Sequence, residues 1–115
     1  MPFRQTLDQW SSRPLILGAA IVSEDGLLVH HDLGRHVDGE AVAALSVAVR
    51  RHAEQLGTAI GGSLGSTVME LTGGPAVVTP LDTRHTLIVL ARPDADLGPL
   101  LFDIRRSRSA LAGSV

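Results

Sequence analysis

The 115-residue chain contains no cysteine, no lysine and no tyrosine. Without cysteine there is no disulfide, no thiolate nucleophile and no cysteine metal site. Without lysine there is no Schiff base, no lysine general base and no phosphate-binding loop ending in lysine. Aromatic residues make up only 3% of the chain, so its core has to be built from Leu, Val, Ile and Ala. Long hydrophobic runs are missing too. The longest are about one strand in length, far below the roughly 20 residues that span a bilayer. The first residues, MPFRQTLDQWSSRP, are polar and mixed in charge, without the apolar stretch of a signal peptide. A cytoplasmic location is the expectation. The net charge of −2 offers no general electrostatic reason to bind nucleic acid or an anionic membrane.

With 44% hydrophobic and 19% charged residues, the composition is that of a folded globular protein. The length fits a single domain over residues 1–115 with one core. Phe3, Leu7 and Trp10 share one face of a short helix, which Pro14 punctuates. LILGAAIVS (15–23) reads as a strand covered on both faces. SEDG is a turn in which Gly26 suits positive φ, and LLVHHDL (27–33) is the returning strand.

Asp38 is placed to cap the N-terminus of a helix, with Glu40 in its first turn and Gly57 as its stop. Val42, Leu45, Val49, Ala53 and Leu56 make its main apolar stripe. Ala43 and Val47 lie off that stripe, among Arg50, Arg51 and Glu54, as an extra apolar strip that could meet a partner. STVMELT (66–72), PAVVTPL (75–81) and HTLIVLA (85–91) are three further strands, with Gly73 and Gly74 signalling a hairpin. A closing helix follows DADLGP, with Leu97, Leu101, Ile104 and Leu111 as its stripe and Leu100 beside it. The run RRSR (105–108) falls near the end of that helix, where the dipole favours positive charge. The order α-β-β-α-β-β-β-α, with tight hairpins, predicts an α+β sandwich built on an antiparallel sheet.

Catalytic patterns are sparse. GGSLG (61–65) fits G-x-S-x-G around Ser63, and Asp82 and His85 follow in the chain order of α/β-hydrolases. The context is reversed, however, because a nucleophile elbow leads from strand to helix. Glycines that end a helix and turn into a strand explain the same letters. The five histidines, His30, His31, His36, His52 and His85, form no recognised metal spacing. His30 and His31 point to opposite faces of a strand. No catalytic residue, metal or cofactor is expected, which favours a binding or scaffold protein. The alternative reading is a small-molecule-sensing adaptor, although no convergent polar cluster marks a pocket for one.

The order of elements, together with GAAIVSEDGLLV (18–29), EAVAALSVAV (40–49), STVMELTGGPAVVTPL (66–81) and LIVLARPDADLGPLLFDIRRSRSAL (87–111), resembles the roadblock/dynein-light-chain family, in its bacterial MglB-like branch. The resemblance implies a five-stranded antiparallel sheet between helices, related to profilin and longin folds. It also implies a homodimer, in which the edge strand after the long helix pairs with its twin and the long helices pack across the same two-fold axis. Ala43, Val47, Thr67, Met69 and Leu71 are the residues this points to at the dimer interface. It further implies a non-enzymatic regulator or scaffold for a small Ras-like GTPase, with Ala43, Val47, Arg50, Arg51 and Glu54 facing that partner. Arg50 or Arg51 as an arginine finger is the less favoured role, and no membrane insertion is implied.

Overall fold

The computed structural model describes Gln5 and residues 15–113. The short helix expected on Phe3, Leu7 and Trp10 lies outside the described residues. Seven elements follow: β1 (Ile16–Ser23), β2 (Leu28–Asp32), α1 (Gly39–Ala59), β3 (Thr67–Leu71), β4 (Gly74–Pro80), β5 (His85–Ala91) and α2 (Leu97–Ala112). The strands form one sheet in the order β2-β1-β5-β4-β3, and every neighbouring pair is antiparallel. The α+β sandwich and its five-stranded antiparallel sheet are as expected.

Side chains alternate across a strand, so the apolar central strands feed two cores. Ala19, Ile21, Val77, Leu87 and Val89 pack under α2 with Leu100, Ile104 and Leu111. Ala20, Val22, Val78 and Ile88 pack under α1 with Ala43. In α2 the stripe centres on Leu100, Ile104 and Leu111, while Leu97 and Leu101 are only partly buried. Because α2 continues to Ala112, its last turn carries no basic residue. The RRSR run therefore sits mid-helix, where Arg106 lies over the Phe102 ring at 5.9 Å, and the expected dipole explanation does not apply.

The connections show why the chain turns where it does. Gly26 has φ 79°, and its N–H bonds to the Ser23 carbonyl at 2.9 Å. Asp38 caps α1 by accepting from the Ala41 N–H at 3.1 Å. Gly57 does not stop α1, which runs two residues further. The C-cap is Ile60, followed by Gly61 at φ 83°. The Gly61 N–H reaches the Thr58 carbonyl and the Gly62 N–H reaches the Gly57 carbonyl. That pair of bonds is a Schellman stop, and it explains the glycines of AIGGSLGS.

At the β3–β4 hairpin Leu71 pairs with Gly74, so the loop residues are Thr72 and Gly73. Gly74 has φ 122°, and a Cβ built on it would collide with the Ala91 carbonyl oxygen. A Cβ on Gly73 would meet nothing within 4 Å. Gly74→Ala should therefore lower unfolding free energy by about 2–4 kcal/mol, whereas Gly73→Ala should stay within about 1 kcal/mol. Urea denaturation of the two variants checks this, and equal midpoints would contradict it.

Candidate functional site

The rotation of α1 about its own axis decides which residues can meet a partner. Ala43 is 0% exposed and Ser46 is buried. Small side chains at these positions let the helix approach the sheet closely, and the Ser46 hydroxyl is satisfied within the helix by the Val42 carbonyl at 2.6 Å. Further along the same side, Arg50 reaches down to the β4–β5 turn. Its Nη1 donates to the His85 carbonyl at 2.8 Å and to Thr86 Oγ1 at 3.0 Å, and its Nε pairs with Glu54 at 3.3 Å. The side that carries Ala43, Val47 and Arg50 therefore faces the sheet.

This corrects part of the reading of the two helix faces. Ala43 cannot contact a second chain, because it is enclosed in the core. Val47 is half-buried against the same core. Of the expected buried stripe, Val42 and Val49 do pack against the core, but Leu45 and Leu56 lie on the outer side instead. Leu45 is 64% exposed and Leu56 63%, and Ile60, which the expected stripe omitted, is 77% exposed. Full burial of such a side chain contributes about 1.5–3 kcal/mol, and these three forgo most of it. Between Leu45 and Leu56 at helical spacing, Val49 packs against the core and His52 is exposed. The outer face of α1 thus exposes Leu45 and Leu56 with His52 between them, and Ile60 follows at the C-cap.

The edge strand β3 shows a similar division. Thr67, Met69 and Leu71 share one face of β3, as expected, and that face lies toward α1. Met69 packs into the core beneath α1, and Thr67 Oγ1 is buried without a hydrogen-bond partner. Only Leu71, at 58% exposure, presents much of its side chain outward. What β3 offers a second chain is mainly its backbone edge.

A shallow cleft of about 450 Å³ lies on the flank of α1, lined by Glu24, Asp25, Val47, Arg50, Arg51, Glu54 and Thr83. It brings together four of the five residues expected to face a GTPase. Arg50 is held at both ends of its guanidinium and its side chain is only 12% exposed, so it is not free to act as a finger. Arg51 and Glu54 are exposed on the rim.

The hydrolase pattern does not assemble. Asp82 and His85 do meet, with Nδ1 at 3.0 and 3.1 Å from the two carboxylate oxygens. Ser63 is exposed in the loop after α1 and bonds to neither. His30 and His31 pair with Ile21 and Ala20, which belong to opposite cores, so they point apart. Partial burial pushes the Asp82 carboxyl up, but the Arg84 N–H at 2.7 Å and the His85 ring outweigh it, and the net shift is downward.

Both sets of contacts can be checked by substitution. Arg50→Ala should cost about 1–3 kcal/mol in urea denaturation, against about 0.5 kcal/mol or less for Arg51→Ala. Similar losses in both would remove the anchoring role of Arg50. For Asp82, a folded value below the ordinary one means that its stabilisation is full above the usual carboxylate range. It is lost as pH falls through the lower folded value. Wild type and Asp82→Asn should therefore converge in stability as pH drops from about 6 to about 3, and a constant gap would contradict the assignment.

The fold has clear relatives among solved structures. A Roadblock/LC7 domain from Streptomyces avermitilis superposes with a TM-score of 0.84 at 21% identity, covering 96% of this chain and 94% of that one. Myxococcus xanthus MglB gives 0.83 at 17% identity, over 95% and 90%. The gliding protein MglB of Thermus thermophilus gives 0.77 at 16% identity, over 96% and 88%. At these identities the likeness is one of fold. No curated protein sequence matches the chain. A family model, Roadblock/LC7 domain, matches residues 3–91. With most of its length matched and the fold in agreement, the chain belongs to the Roadblock/LC7 domain family.

Proposed function

We propose that this chain is a homodimeric, non-catalytic regulator or scaffold of a small Ras-like GTPase, working in the cytoplasm. The observation that carries the reading is the apolar outer stripe of α1, with Leu45, Leu56 and Ile60 each more than 60% exposed. A lone exposed leucine needs no explanation, but three large apolar side chains exposed along one helix face favour a protein contact. A two-fold contact uses the same surface of both copies, so a self-complementary apolar row suits it. The free edge of β3 supports the same assembly by offering strand pairing on the sheet.

Membership of the Roadblock/LC7 family and the likeness to MglB support a GTPase as the further partner. The surface left for it is the polar rim beside the stripe, where Arg51 and Glu54 stand next to Glu24 and Asp25. Val47 and Arg50 would shape this rim from below, while Ala43 has no part in it. The activity is one of binding, so an arginine finger is not required.

Leu45→Glu with Leu56→Glu should weaken self-association by about a hundredfold or more while the circular dichroism spectrum stays folded. Sedimentation velocity over micromolar concentrations reads the first quantity. A double variant that remains as dimeric as wild type would place the contact elsewhere. Pull-down of a purified Ras-like GTPase tests the second partner. Binding that survives Arg51→Ala with Glu54→Ala unchanged would remove the rim from the interface.

A further inference from the structure

The inner side of α2 packs on the sheet through Leu100, Ile104 and Leu111. On the opposite side Phe102 stands 60% exposed, and Arg105 and Arg106 follow it three and four residues on, both exposed. Arg108 lies beside them on the flank, half-buried. We propose that this outer side of α2 docks on an anionic phospholipid bilayer, as a surface contact that inserts no helix. The contact needs one chain only, so it stands or falls apart from the homodimer reading.

Charge selects the occupant. Among the described residues, Arg105, Arg106 and Arg108 join no ion pair. The Arg106 guanidinium lies over the Phe102 ring instead. The one carboxylate of α2, Asp103, is half-buried and engaged in a contact of its own. Residues 1–14 hold Arg4 and Arg13 against Asp8, so they bring no net negative charge. The whole chain is nevertheless −2, which makes the residues outside α2 net acidic. Glu24, Asp25 and Glu54 gather on the α1 side of the sheet. The molecule is therefore polarised across its sheet, and a negative surface attracts the α2 side and repels the other. The small net charge conceals this.

Shape favours a bilayer over a peptide. The outer side of a helix is convex. The hollows on the α1 flank, beside Pro75 and Pro93, and beside Leu15 and Pro99 are all lined by other residues. A protein partner anchors by filling pockets, and a lipid surface asks for none. Guanidinium groups pair with headgroup phosphates through two parallel N–H bonds. The exposed ring between them suits the boundary between headgroups and acyl chains. Each basic side chain near an anionic surface raises affinity by about fivefold, so three give on the order of a hundredfold.

The test is co-sedimentation of the full chain with vesicles of phosphatidylcholine, alone or with about 40% phosphatidylserine, at about 50 mM salt. Wild type should pellet with the anionic vesicles and stay in solution with the neutral ones. Arg105→Gln with Arg106→Gln should weaken binding by about twentyfold. Arg35→Gln with Arg84→Gln removes the same charge from exposed sites outside α2 and should change binding by less than about threefold. Circular dichroism checks that both double variants are folded. Wild type that ignores the anionic vesicles, or binds neutral ones equally, would overturn the proposal. Equal losses in the two double variants would also overturn it, by reducing the effect to overall charge. Failure on vesicles together with binding of poly-glutamate through Arg105 and Arg106 would replace the bilayer with an acidic protein partner.

Discussion

The rotational setting of α1 on the sheet governs everything else about this molecule. That setting is fixed at two points. Ala43 and Ser46 present small side chains, and larger ones there would hold the helix off the strands. Arg50 then spans to the β4–β5 turn and bonds to the His85 carbonyl and to Thr86. The same His85 carbonyl accepts the Leu81 N–H at 3.0 Å, so the helix is tied to a turn that is already closed on itself. A buried or half-buried guanidinium has to find such partners, because leaving it unpaired costs several kcal/mol. With the inner side fixed in this way, Leu45, Leu56 and Ile60 have nowhere to point but outward.

That constraint separates what the sequence could disclose from what it could not. The strands of the sheet were legible because each carries a short apolar run between turn residues, and Gly26 and Gly74 sit where positive φ is needed. The Asp38 cap was legible from its letter and position. The inner face of α1 was not. Both sides of that helix are apolar, and hydrophobic periodicity favoured the row with the larger residues. Packing kept Val42 and Val49 of that row but turned Leu45 and Leu56 outward, in favour of Ala43, Ser46 and an arginine that looked as though it belonged to solvent. The missed signal was size. Gly39 approaches the side chains of Leu28 and Leu33, and Ala43 and Ser46 continue the line of small residues toward the sheet. The end of the helix was misjudged for a different reason, since Gly57 tolerates helical geometry and the left-handed residue of the stop is Gly61.

The loop with the hydrolase-like letters shows the same economy. Its glycines close α1 and deliver the chain to the edge strand, and Ser63 travels with them as an exposed loop residue. Asp82 and His85 pair to shape a tight turn, with Arg84 donating its N–H to the same carboxylate. What had the outline of a catalytic set is two unrelated structural devices. Among the described residues, the outer side of α1 and its C-cap expose Leu45, Leu56 and Ile60, which the packing of the helix on the sheet does not use.

The absence of cysteine makes one measurement especially direct. A single cysteine introduced as His52→Cys, oxidised in dilute solution, should crosslink two copies rapidly through the middle of the stripe. A single cysteine as Arg106→Cys, on the outer side of α2, should not. Efficient crosslinking at 52 and little at 106 is the result expected if the outer row of α1 is the two-fold contact. Crosslinking at 106 with none at 52 would contradict that account and assign the shared surface to the opposite face of the sheet.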